Sequence, residues 1–220
     1  MRDRIAIIGW GSLLWDLENL TPHVEGDWRL TEGPALPLEF SRISPKRKLG
    51  LVVCIDPEHG VPCATHAILS VRADLDAARQ DLARRERAPL PLIGLWCART
   101  GRAEGRGAPF VADWAAAQGL AGAVWTDLEP NFAAHRGEPF ALDRAVDYLA
   151  GLTGESLEEA VRYIVNAPRW TDTPLRRRLA ALDWWRAEAA RLSPRPPEAA
   201  PGPASAAPPR PPRSSPPSPR

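Results

Sequence analysis

Two short stretches carry residue types whose spacing could do chemistry. The first runs from the apolar Ile5-Ala6-Ile7-Ile8 into Gly9-Trp10-Gly11-Ser12 and back to the bulky Leu13-Leu14-Trp15. Glycine weakens a strand interior, so a glycine pair at its end marks a sharp turn or a close approach to the backbone. Two glycines and a serine in a turn can present successive backbone N–H groups to an anion, carboxylate as well as phosphate. Ser12 would add a hydroxyl donor. The competing structural reading is a strand-to-loop kink with Trp10 and Trp15 packed in the core. The second stretch is Arg84-Arg85-Glu86-Arg87. On a helix over 74–87, about 100° per residue puts Leu75, Ala78, Leu82 and Glu86 on one stripe, with Gln80, Arg84 and Arg87 pointing elsewhere. Glu86 thus holds a position that the pattern assigns to the interior. A half-desolvated carboxylate is the better proton acceptor near neutral pH. The alternative is an ion pair with Arg42, Arg79 or Arg85 at a solvated helix end, and the pattern divides evenly between the two.

Other chemistries find little purchase. A dinucleotide fingerprint needs a third glycine where this chain has Leu14, and no convincing helix follows. No Gly-Lys-Ser/Thr makes a phosphate loop, and no Gly-x-Ser-x-Gly elbow makes a serine hydrolase. His23, His59, His66 and His135 have no metal-binding spacing with one another or with cysteine. A further option is proton transfer by Asp127 or Glu129 on the loop that follows a late strand.

The elements that must position these residues can be read coarsely. Strands are expected over 4–9, 36–43, 49–55 and 63–71. The last two flank the turn-rich 56–60 and read as a hairpin. A helix over 74–87 leads to a strand over 91–98, a short helix over 110–118 and a strand over 121–126. Helices over 142–152, 157–165 and 174–192 complete the domain, the last opened by Thr173 as N-cap with Pro174 at the first helical position. Strands cluster early and helices late. The expected class is α+β, a mixed or mostly antiparallel closed sheet flanked by helices.

At 220 residues and 44% apolar, the chain can bury a real core as one domain over 1–192. Residues 193–220 hold 12 of the 25 prolines and no aromatic residue, which predicts a disordered or polyproline II tail. Its P-x-x-P spacing between Pro208 and Arg213 could recruit a weak partner with an aromatic groove. Subtracting its four arginines and one glutamate leaves 24 basic and 26 acidic residues upstream, which argues against nucleic acid as a partner. Cys54, Cys63 and Cys97 form no C-x-x-C pair. With no signal h-region and no stretch long enough to span a bilayer, the expectation is a cytoplasmic protein with no membrane partner.

Together, the loop Gly9-Trp10-Gly11-Ser12-Leu13-Leu14-Trp15 and the pair Arg85-Glu86 resemble the γ-glutamylcyclotransferase superfamily, closest to its ChaC-like/AIG2-like branch. That family carries a Tyr-Gly-Ser-Leu type loop after its first strand and an Arg-Glu at the end of a later helix. Phe40 to Ser44, Leu49 to Val53 and Ala123 to Thr126 are similar to further strands of it, so the similarity spans roughly residues 5–179. The resemblance implies a γ-glutamylcyclotransferase-like barrel. It implies a lyase that cyclises the γ-glutamyl group of a small amide or peptide to 5-oxoproline and releases the amine. Gly11, Ser12 and Leu13 would cradle the substrate, with Trp10 and Arg42 also binding it, and Glu86 would serve as base and then acid. No metal and no cofactor would be needed. Trp10 departs from the family's tyrosine, replacing a hydroxyl by an indole with one donor, and this counts against glutathione, the substrate of ChaC-like members. The alternative function is a non-catalytic binding or interaction module on the same fold, its proline-rich tail recruiting a partner.

Overall fold

The computed structural model describes residues 4–192. The tail over 193–220, expected to be disordered, lies outside the described residues. Nine strands and seven helices follow one another among those described. They are β1 (Ile5–Gly9), β2 (Val24–Arg29), β3 (Ala35–Ser44), β4 (Gly50–Ile55), β5 (Val61–Ala64), β6 (His66–Ser70), α1 (Leu75–Glu86), β7 (Ile93–Cys97) and β8 (Ala103–Glu104). Then come α2 (Ala108–Ala117), β9 (Gly122–Thr126), α3 (Phe132–Arg136), α4 (Leu142–Ala150), α5 (Gly154–Asn166), α6 (Pro174–Ala180) and α7 (Asp183–Leu192). The architecture is α+β.

A six-stranded mixed sheet has the order β2-β6-β1-β9-β7-β8, with β1 and β9 parallel and the other pairs antiparallel. β1 lies inside it, which explains the unbroken apolar run from Ile5 to Ile8. Side chains alternate across a strand. Ile5 and Ile7 therefore join Ala78, Leu82 and Val124 in the core beneath α1, while Ala6 and Ile8 join Leu38, Phe40 and Trp125 in the core on the other face. A strand buried on both faces has no need of polar positions.

Strand pairing corrects two expectations. The sheet is open, with β2 and β8 at its edges, and a separate three-stranded sheet has the order β4-β3-β5. A closed sheet is therefore not what the hydrogen bonds make. Nor do the strands over 49–55 and 63–71 form a hairpin. β4 and β5 lie on opposite edges of β3, and Leu38 faces both Ile55 and Val61. Asp56 folds the intervening turn by accepting the Glu58 and His59 N–H groups, each at 3.0 Å. The stretch over 63–71 is itself two strands. Thr65 breaks it, its hydroxyl donating to the Pro34 carbonyl at 2.6 Å, so that β5 stays in the small sheet and β6 enters the large one.

The helix over 74–87 is α1, capped by the Asp74 carboxylate accepting the Ala77 N–H at 2.9 Å. Thr173 does cap α6, accepting the Arg176 N–H at 3.3 Å. The expected helix over 174–192 is two helices, α6 and α7, with no glycine or internal proline marking the break. β2 carries Glu25, Gly26 and Asp27 on the sheet edge, and Val24 and Trp28, its two apolar residues, are too sparse for the alternation that signals a strand.

Candidate functional site

The Gly-Trp-Gly-Ser stretch leaves β1 at its C-terminal end and closes into a single 3-10 turn, Ser12–Leu14. The opening N–H groups of such a turn have no partner inside it. Both glycines are required by close approach. A Cβ at Gly9 would sit 2.7 Å from the Trp28 ring, and one at Gly11 would sit 2.8 Å from the Tyr163 hydroxyl and 3.0 Å from Val53 Cγ1. Trp10 is buried in the core, as the structural reading expects, and its carbonyl accepts the Thr171 hydroxyl at 3.1 Å. Trp15 is 42% exposed and so is not a core residue.

α1 delivers Arg85 and Glu86 beside this loop. The helix stops because Arg87 adopts a left-handed conformation with φ 54°, its N–H bonding back to Ala83 and Arg84. Glu86 is thus the last helical residue. Its side chain is 12% exposed and accepts from Arg85 Nη1 at 2.8 Å and from the Thr126 hydroxyl at 3.3 Å. Arg85 Nη2 donates to the Asp16 carbonyl at 2.6 Å and reaches Ser12 Oγ at 3.4 Å. The guanidinium therefore straps the loop to the glutamate. Of the three arginines that could pair with Glu86, Arg85 does so, while Arg79 bonds the Ile93 carbonyl and Glu104, and Arg42 the Glu129 carbonyl at 2.5 Å. Inward placement and ion pairing are both true of Glu86.

A cavity of about 280 Å³ lies at this junction, between the two sheets. Trp10, Gly11, Ser12, Leu13, Arg42 and Glu86 all line it, so the structure brings every expected site residue to one place. From the large sheet and α1 the lining takes the loop after β1, the end of α1 and Thr126 at the end of β9. From the small sheet it takes Arg42 and Ser44 of β3, the turn Pro45–Arg47, and Val52 to Cys54 of β4, and from α5 it takes Tyr163.

Tyr163 is the residue that sequence reasoning missed. Burial pushes its phenol up from the ordinary value, Arg47 opposes this and the nearby Glu86 adds to it. Its ring packs edge-on against Trp15 at 5.8 Å, beneath the Arg47 guanidinium at 5.4 Å. The only signal was a hydroxyl on the apolar face of an amphipathic helix. Asp127 and Glu129 do not line the cavity, and both pair with Arg106 at 3.2 Å. Cys54 does line it, but burial raises its thiol to about 12, which leaves it inert.

Among the described residues, no three of His, Cys, Asp and Glu converge as a metal site, all three cysteines are free thiols, and no helix is long and apolar enough to cross a membrane. Comparison with protein-family models, curated proteins and solved structures returned no match.

Proposed function

We propose that the chain is a γ-glutamylcyclotransferase-like enzyme that converts the γ-glutamyl group of a small amide or peptide to 5-oxoproline. The observation that carries this reading is that Glu86 is the one carboxylate among the described residues lining the cavity and stands beside the Gly11–Leu13 turn, tied to it through Arg85. In the proposed reaction the substrate's α-amine attacks its own γ-carbonyl carbon. A C–N bond forms as Glu86 takes a proton from the nitrogen. Glu86 then returns that proton to the leaving nitrogen as the original amide C–N bond breaks, giving the lactam and the free amine. The turn amides hold the folded-back γ-glutamyl group, so amine and carbonyl meet as neighbours rather than by diffusion. Tyr163 supplies a hydroxyl in a cavity where Trp10 has none.

The two sheets facing one another across this cavity are read as a γ-glutamylcyclotransferase-like barrel. The free thiols fit a cytoplasmic location. The second reading, a binding module without catalysis, is favoured by the 2.8 Å Arg85–Glu86 pair, which already engages the carboxylate. Turnover separates the two. The enzyme forms 5-oxoproline from a γ-glutamyl compound, incorporates no ¹⁸O from labelled water and leaves the N-acetyl analogue unchanged although that analogue competes for the site. Free glutamate as first product, or binding without turnover across a panel of γ-glutamyl compounds, rejects cyclisation.

A further inference from the structure

Glu86 is held by one of its two oxygens. Arg85 Nη1 at 2.8 Å and the Thr126 hydroxyl at 3.3 Å both donate to Oε1, and among the described residues no hydrogen bond reaches Oε2. An ionised carboxylate has about four lone-pair sites, shared between its oxygens. Two donors therefore occupy Oε1 and leave Oε2 with all of its own. Glu86 lines the cavity, and Oε2 is not sealed from solvent. The second donor comes from a fixed element. Thr126 ends β9 opposite Ile93 of β7, and the residue after it anchors the strand end, the Asp127 N–H donating to the Leu92 carbonyl at 2.8 Å. A β-branched side chain has little rotamer freedom, so the hydroxyl stays where the strand puts it.

This asymmetry decides where a proton can go. On Oε1 it would stand against the Arg85 and Thr126 donors, whereas on Oε2 it leaves both hydrogen bonds intact. Resting on the cyclotransferase reading of this same cavity, we propose that Thr126 is a positioning residue that, with Arg85, clamps Oε1 so that Oε2 carries out both proton transfers. Oε2 takes a proton from the α-nitrogen as the new C–N bond forms. It gives that proton to the leaving nitrogen as the amide C–N bond breaks, which restores the carboxylate. Between the two transfers both nitrogens are bonded to the same carbon, so a carboxylate fixed in rotation serves them in turn. The Arg85 pair is then compatible with catalysis, because it engages the oxygen that does not react. Thr126 acts through Glu86 and needs no contact with the substrate.

The test removes the hydroxyl in Thr126→Val and Thr126→Ala and keeps it in Thr126→Ser. Each variant is made in the full chain with Glu86 in place and again in a Glu86→Gln background, and thermal unfolding confirms that it is folded. Initial rates of 5-oxoproline formation are measured with γ-glutamylglycine and γ-glutamylmethylamide as probes. With Glu86 in place, loss of the hydroxyl is expected to lower kcat at least about tenfold with KM nearly unchanged, since a misaimed carboxylate slows the chemical step and not binding. Thr126→Ser restores most of the rate. In the Glu86→Gln background the same substitutions cost less than about twofold further, because residues that act as one unit are not additive. An unchanged kcat, a rise in KM alone, failure of serine to rescue, or an equal loss in both backgrounds overturns the assignment. A parent that forms 5-oxoproline while Thr126→Val matches it sustains cyclisation and overturns the role of Thr126. A parent that forms none from either probe overturns the cyclotransferase reading and this assignment with it.

Discussion

Replacing Glu86 by glutamine keeps its shape and removes the proton acceptor. If Glu86 moves the proton, Glu86→Gln lowers 5-oxoproline turnover by about 10²–10⁴-fold while the melting temperature stays close to that of the parent. Turnover within a few fold of the parent rejects the base, and a variant that unfolds shows that the Arg85 pair is what the residue is for. Gly11 makes a second prediction. The Cβ of Gly11→Ala would meet the Tyr163 hydroxyl and Val53, and forcing a methyl into such a packed site costs about 1–3 kcal/mol in urea unfolding. Because the nearer of these contacts is the hydroxyl oxygen, Tyr163→Phe should offset part of that cost, giving a coupling of at least about 0.5 kcal/mol in the double-mutant cycle. Strictly additive costs would show that the alanine is accommodated some other way.

α1 separates stability from chemistry along its length. Asp74 caps its first turn and Glu86 ends its last, and twelve residues at 1.5 Å each set the two ends about 18 Å apart. Asp74→Ala is therefore expected to lower stability by about 0.5–2 kcal/mol in denaturant titration, with turnover per folded molecule unaltered. A fall in turnover matching that caused by Glu86 substitutions would mean that the helix transmits strain from cap to site. The β3–β4 connection brings further charge to the same cavity. Lys48 turns the chain there with φ 49°, closing the Pro45–Arg47 turn that carries Lys46 and Arg47 to the cavity.

The domain as a whole has a built-in acid sensitivity at the junction of β6 and the segment before β3. His66 is fully buried, and its Nδ1 accepts the Thr31 N–H at 2.9 Å. The proton therefore sits on Nε2, which has no hydrogen-bond partner among the described residues, and the ring packs edge-on against Trp170, centroids 5.4 Å apart. Burial lowers its pKa from 6.5, and protonating Nδ1 would set donor against donor. Above about pH 6.5 the ring is neutral in both states and its stability contribution is complete. As pH falls below that value the unfolded chain takes up a proton that the folded chain refuses, so stability is lost as pH falls through the lowered folded value. His66→Asn, whose side-chain oxygen can still accept from Thr31, removes this component. The stability gap between parent and variant should shrink or reverse between about pH 7.5 and about pH 5, and a gap independent of pH would exclude His66 as the sensor.

Much of the candidate site was legible because it is built from local geometry. The 3.6-residue period alone turned Glu86 to the same side as Ala78 and Leu82, and the glycine pair signalled a close approach before the approaching atoms were known. The same locality located α1, the two-faced run of β1 and the Thr173 cap. Pairing obeys no such rule, since any strand edge can bond to any other. The turn at Asp56 was visible, but only the packed chain placed β4 and β5 on opposite edges of β3 instead of side by side. The choice of Arg85 over Arg42 or Arg79 as partner of Glu86 depended on where the Ser12 loop, Glu104 and Glu129 lie in space. That choice left Arg42 with no carboxylate within ion-pair distance among the described residues. Tyr163, more than 70 residues beyond Glu86, reached the cavity from a later helix. Its contact with Gly11 is a tertiary one, and periodicity within a helix tells which face is apolar but not what that face will touch.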